Sequence, residues 1–311
     1  MIFLLPKRRP IIPAPKKRVA VKDSGGLRNH NGPKNRHDLK SRLDCLYLEI
    51  NKPEFIPLDP VQFPRRYKKK NDIEIAAFLA ATIAWGKREL ILKSAEKMFA
   101  LMGHSPYEFV MEWDYEKPEK PQAGGGNKRG FSIHRTFFED DFVYFCRGFK
   151  ACYAKYGNLE NLFASAADVW EGMSLLRETM AAANSGAVIN SGAASRGQSK
   201  KPLYSKHLSS PESGSACKRL NLALRWLVRK EGPVDLGIWK KLSPSSLFIP
   251  LDLHVGRAAR ELGLLESGRQ ANDKKAVISL TGKLREFCPE DPVKYDFALF
   301  GYSMSKSTKS S

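Results

Sequence analysis

Two residues of this sequence, Lys218 and Asp252, are flanked in ways that could support covalent chemistry. Lys218 follows the run Ser213-Gly214-Ser215-Ala216-Cys217. After it come Arg219 and an apolar helical segment from Leu220 to Arg229. Small residues ahead of a helix leave backbone N–H groups open, and such groups bind phosphate. That makes Gly214 and Ser215 phosphate-binding positions. Lys218 and Arg219 fall in the first helical turn, where the dipole disfavours a cation by about 0.3–1 kcal/mol. The same dipole disfavours the ammonium form of Lys218, and a neutral lysine is a nucleophile. The plain alternative is a pair of surface cations at a frayed helix start.

Asp252 follows the apolar stretch Phe248-Ile249-Pro250-Leu251 and precedes a helix with Val255, Ala258, Ala259 and Leu262 on one face. A carboxylate there can accept or shuttle a proton, or face a developing positive charge. It can equally serve only as the N-cap of that helix. His254 and Arg257 follow on the same segment. Each could contact nucleic acid, and His254 could also be an ordinary surface or core histidine. Trp85 closes the apolar run that starts at Ile75, so it could touch a base or end a helix in the core. His134 and Arg135, in His134-Arg135-Thr136, could meet a phosphate or form a polar loop tied down by its own hydrogen bonds.

Helices must position these residues. The run from Ile73 to Trp85 is apolar nearly all round, as a central buried helix is, and Gly86 breaks it. Asn71 and Glu74 have the spacing of an N-cap and its capping-box partner. A second helix presents Leu90, Ile91, Ala95, Met98 and Met102. A third opens at Asp140-Asp141 and presents Phe142, Phe145, Phe149 and Cys152. Val169, Met173, Leu176 and Met180 mark a fourth. Asp291-Pro292 opens a last one towards Tyr302. No two consecutive segments alternate with period two, so no sheet is expected. Loop insertions are expected at about 118–130, around Gly124-Gly125-Gly126, and at about 181–202, rich in Ala, Ser, Gly and Asn.

Composition sets the class. The chain has 311 residues and a net charge of +19, of which residues 1–70 carry +12 with 18 Lys/Arg against 6 Asp/Glu. Such a charge suits a polyanion, with solubility plus a basic tail as the plainer account. The longest apolar run, Ile75 to Trp85, is far short of the roughly 20 residues a membrane span needs. Five cysteines at 45, 146, 152, 217 and 288 contain no CxxC. This argues against a disulfide framework or a zinc knuckle and for a reducing compartment. The expected organisation is all-α: a disordered basic arm at 1–40, a helical domain at 41–303 and a tail at 304–311. No metal or cofactor is expected, and no membrane association.

Taken together, the Gly214-x-x-x-Lys218 turn and the Leu251-Asp252-x-His254-x-x-Arg257 segment resemble the helix-hairpin-helix-GPD superfamily of DNA glycosylases. Asp72 to Met98 resembles that fold's early buried helix, and Tyr295 to Phe300 its closing helix. Over roughly 41–303 the chain also resembles a mainly bacterial family known only as a domain of unknown function. Its carriers are Asp72 to Gly86, His134 to Phe137, Ser213 to Lys230, Gly237 to Lys240, Pro250 to Arg257 and Asp291 to Gly301. The superfamily resemblance implies a two-lobed helical fold with Lys218 as nucleophile and Asp252 as its catalytic partner. It implies base excision from double-stranded DNA by a cytoplasmic monomer, nucleoid-associated if bacterial, with an oxidised purine as the expected base and a lyase step available. Here only Gly214 matches the usual hairpin, and the cluster-binding cysteine tail is missing. The 34-residue separation of lysine and aspartate is wider than in most of the superfamily and more like the archaeal 8-oxoguanine glycosylase branch. A catalytically silent nucleic-acid-binding protein, and a helical interaction protein whose charge is only tail, are the rival expectations.

Overall fold

The computed structural model describes residues 36–113, 129–185, 202–268 and 270–307. These are mostly helical, as the periodicity implies. Helix α1 (Arg36–Ile50) is followed by three short 3-10 turns, then α2 (Lys70–Thr82), α3 (Arg88–Met102) and α4 (Pro106–Glu112). A small hairpin of β1 (Ser132–His134) and β2 (Phe137–Phe138) precedes α5 (Glu139–Tyr156), α6 (Leu159–Ala164) and α7 (Val169–Asn184). The second half holds α8 (Lys218–Val228), α9 (Leu253–Glu261), α10 (Lys274–Arg285) and α11 (Tyr295–Ser307). One contiguous apolar core draws on both halves.

Several sequence expectations need correction. The helical part starts at Arg36, five residues before the expected boundary at 41, and α11 runs through Ser307 into the expected tail. Helix α7 continues to Asn184, into the expected loop at 181–202. The rest of the expected arm, and most of both expected insertions, lie outside the described residues. A two-stranded antiparallel hairpin exists where no sheet was expected. Its strands are two and three residues long, too short for an alternation to be read. Residues 202–217 form turns, so no helix leads directly into Gly214.

Helix α2 is buried from Asp72 to Thr82, which is why its sequence shows no polar face. It begins at Lys70 with Lys69 as N-cap, so Asn71 does not cap it. Glu74 reaches away from the helix start. It accepts from the Tyr153 hydroxyl (2.7 Å), the Leu159 N–H (3.0 Å), the Glu160 N–H (3.3 Å) and the Trp239 indole N–H (2.7 Å). Burial raises its pKa, and these donors oppose that shift. One carboxyl thus joins α2 to α5, α6 and the segment after α8.

Helix α8 is fixed from its far end. Arg225 and Arg229 are buried, and their guanidinium groups meet Asp235, Asp291 and Asp296. Arg229 Nε lies 2.7 Å from Asp291 Oδ2, Nη1 lies 2.8 Å from Asp235 Oδ2, and Nη2 donates to the Tyr47 hydroxyl at 2.7 Å. The loop after α8 turns back on it. Leu236 N–H donates to Trp226 O (2.8 Å) and Trp239 N–H to Leu227 O (2.9 Å), so carbonyls at the helix end find partners.

Arg229→Met is expected to lower the free energy of unfolding by about 3–5 kcal/mol, because buried Asp291 loses its guanidinium partner and buried Asp235 keeps only Arg225. Equilibrium urea denaturation measures this. A loss below about 1 kcal/mol would show that the network does not hold α8.

Candidate functional site: a cleft at the start of helix α8

Lys218 and Asp252 meet. Lys218 Nζ lies 3.0 Å from Asp252 Oδ2, with the two side chains 33% and 27% exposed. Lys218 is the first residue of α8, as the sequence implies. Asp252 is the N-cap of α9, and its Oδ1 accepts from Val255 N–H at 2.9 Å. Both readings of Asp252, cap and partner to a lysine, therefore hold at once through different oxygens. Burial pushes the Asp252 carboxyl up, but Lys218, the Val255 N–H and His254 outweigh it and hold the pKa below its ordinary value. A partly exposed pair of this kind stabilises a fold by about 0–1 kcal/mol.

Lys218 lines a cleft of about 730 Å³. Its lining includes Ala84, Trp85, Thr136, His207, Arg219, the run Ser213 to Cys217, Asn272 and Asp273. Part of this lining is stitched together: Lys274 N–H donates to Gly214 O (2.8 Å), and the Asn272 amide to Asp252 O (3.0 Å). Gly214 takes φ +78°, a turn conformation that a side chain would strain. Cys217 takes the left-handed conformation too, at φ 46°, and provides no side-chain cap to α8.

Two of the N–H groups expected to be open are not: Gly214 N–H donates to Pro211 O (3.2 Å) and Ser215 N–H to Ser210 O (3.3 Å), within the turn itself. Composition could not reveal this, because the acceptors sit in a stretch without periodicity.

Arg219 and Trp85 share the cleft. The Arg219 guanidinium lies 5.1 Å from the Trp85 ring centroid and donates to Thr82 O at 2.8 Å. Burial lowers its pKa. No carboxylate pairs with it among the described residues. Trp85 is also stacked with His207 (5.4 Å, 22°) and meets His134 edge-on (4.7 Å, 79°). The indole is thus part of a built wall, with neighbours on several sides.

His134 is buried, which removes it as a phosphate contact. Its ring nitrogens face Ser94 Oγ at 3.0 Å and Trp85 O at 2.9 Å. It holds the backbone that carries Trp85. Arg135 is exposed, with φ 52°, and lies against Gly86, where a Cβ would meet its guanidinium at 2.8 Å. The φ of +94° favours glycine at 86, whereas the guanidinium, the end of a flexible exposed side chain, can swing aside. His254 is exposed beside Asp252. Arg257 is exposed too, but lines a different cavity of about 310 Å³ with Leu253, Arg260 and Glu261.

Sequence reasoning missed His207. It is 6% exposed, its Nε2 lies 3.0 Å from Thr136 O and 3.5 Å from Asp141 Oδ2, and its ring edge meets Phe137. Burial lowers its pKa, against the opposing pull of Asp141. Among the described residues no group of three His, Cys, Asp or Glu side chains could hold a metal ion. No described helix is long and apolar enough to cross a membrane.

Residues 59–305 match the family described as a protein of unknown function, DUF2400. The chain belongs to that family. Every residue of the cleft falls within the matched segment. Comparison with curated proteins and with solved structures finds no match.

Two histidines of this DUF2400 protein, His134 and His207, are buried with lowered pKa values. Below the ordinary histidine value near 6.5 the unfolded chain binds protons that the folded one resists. Their effect on stability is therefore a loss as pH falls. Asp296, raised to about 6 by burial, pulls the other way by favouring the folded state as it protonates. The comparison with His207→Gln isolates one histidine. The stability of wild type relative to this variant should shrink between about pH 7 and pH 5 in urea melts. A difference that stays flat or grows would contradict the burial of a neutral His207.

Proposed function

We propose that this protein is a base-excision DNA glycosylase with an abasic-site lyase step, acting on an oxidised purine in double-stranded DNA. The observation that carries this reading is the Lys218–Asp252 pair, 3.0 Å apart at a cleft with an aromatic wall. The resemblance of both segments to the helix-hairpin-helix-GPD superfamily and the net charge of +19 support it.

The chemistry follows from the groups present. A base inside a duplex is unreachable, so its nucleotide must swing out at a cost of a few kcal/mol. Lys218, once deprotonated, attacks C1′ of the sugar as the bond to the base breaks. The base leaves with the bonding pair and is protonated; the C1′–O4′ bond then opens, O4′ taking the proton that the lysine nitrogen gives up, and the resulting iminium can lose a C2′ proton and expel the 3′ phosphate. Asp252 remains a carboxylate near neutrality. It faces the positive charge that develops on the sugar and is a near acceptor for the lysine proton. Arg219, cationic and with no carboxylate partner among the described residues, suits a phosphate or a base carbonyl.

The competing reading is a nucleic-acid-binding protein without chemistry. It is favoured by the cap that Asp252 gives α9, since the ion pair then simply joins α8 to α9.

Borohydride trapping on duplexes carrying oxidised, alkylated or deaminated bases, or an abasic site, separates the two. Wild type is expected to form a covalent adduct. Lys218→Gln should abolish it while weakening duplex binding less than about tenfold, since one charge among many is lost. Asp252→Asn should keep the cap, fold normally and lose base release. Absence of both base release and trapping in wild type on every substrate would leave the binding protein as the account.

A further inference from the structure

His207 is a buried titratable group for which neither of the foregoing roles has a use. Its surroundings define what it can offer. The Nε2 nitrogen points to Thr136 O and Asp141, both acceptors, so the hydrogen sits on Nε2. Nδ1 is then a bare lone pair, and it has no partner among the described residues. The ring lines the cleft that Lys218 lines, and lies flat on Trp85, which holds its orientation. Arg219 flanks the same indole, so the cleft sets a donor-only cation and a neutral acceptor around one aromatic ring.

We infer that His207 is the base-recognition residue of this cleft, its Nδ1 accepting a hydrogen bond from a ring N–H on the bound base. The inference rests on the cleft being a base pocket. It specifies the damage. An undamaged purine carries a lone pair at N7, and two lone pairs facing each other repel. Oxidation at C8 places a hydrogen on N7 and a carbonyl at C8, giving the donor that Nδ1 lacks and an acceptor suited to Arg219. Burial keeps His207 neutral, so the acceptor persists at physiological pH. A site that encloses one acceptor against its ligand rejects ligands that cannot satisfy it.

Binding of free nucleosides to the full-length protein, followed by tryptophan fluorescence, tests this without any catalytic step. Wild type should bind 8-oxo-2′-deoxyguanosine about 10- to 100-fold more tightly than 2′-deoxyguanosine. His207→Phe keeps a ring against Trp85 but removes the acceptor, and should bring the two affinities within about threefold. The 7-methyl derivative of the oxidised nucleoside has no hydrogen at that nitrogen and should bind wild type as weakly as deoxyguanosine, which holds the test open even if His207→Phe misfolds. Equal wild-type affinity for the first two nucleosides would overturn the inference. So would a preference that survives His207→Phe, or tight binding of the methylated form. Trapping is read separately: an intact nucleoside preference with no covalent adduct removes the lyase reading and leaves this one standing.

Discussion

The arrangement depends on two guanidinium groups buried on the last turn of α8 and just beyond it. Arg225 and Arg229 share Asp235, Asp291 and Asp296, so two cations face three carboxylates away from water. Desolvating such groups is costly, and the cost is recovered only when each charge keeps its partners. The helix therefore cannot slide or rotate without breaking several charge-assisted bonds at once. Because α8 is rigid, fixing its end also fixes its start, where Lys218 stands. The chain pays for a polar core here, and what it obtains is a defined position for one lysine.

The same network reaches towards the pair it positions. Asp296 is raised to about 6, chiefly by burial, with Asp252 adding to the shift while Arg225 and Lys218 oppose it. The ionic core and the Lys218–Asp252 pair thus feel each other's charge. Glu74 near the start of α2 binds Tyr153, Leu159 and Trp239, and Trp85 stands just past the far end of that helix. The two helices that bring Lys218 and Trp85 to the cleft are thus each anchored at the opposite end by buried ionisable groups.

How much of this was legible depended on sequence distance. The apolar run of α2, the start of α8 and the cap of α9 are local patterns, and the sequence shows them. Lys218 and Asp252 could be paired from motif alone. Glu74 could not be assigned locally. Its spacing from Asn71 imitates a capping box, while its actual partners include Trp239, 165 positions away. His134 reads as part of a polar loop because Ser94 and the carbonyl of Trp85, which bury and satisfy it, are far off in sequence. His207 sits between Ser205 and Ser209 in a stretch without periodicity, so only the folded chain brings it to Trp85. The segment 232–246, between the two motifs, supplies Asp235 to the ionic core and Trp239 to Glu74, neither of which its local pattern shows.

Helix α1 shows how far the site's support extends. It lies ahead of the matched segment 59–305, yet Tyr47 accepts from Arg229 and Asp44 accepts from the Tyr295 hydroxyl at 3.0 Å. Lys294 pairs with the same Asp44 at 3.0 Å. Each contact falls on the ionic core or on the start of α11, and none touches the cleft. Removing α1 would expose the outer side of Arg229 to water and weaken its hold on Asp235 and Asp291, since charge pairs lose strength as the dielectric rises. The reactive pair would keep all its own atoms and still lose the rigidity of the helix that presents it. A lysine that must meet a sugar carbon within a fraction of an ångström depends on that rigidity as much as on its own chemistry.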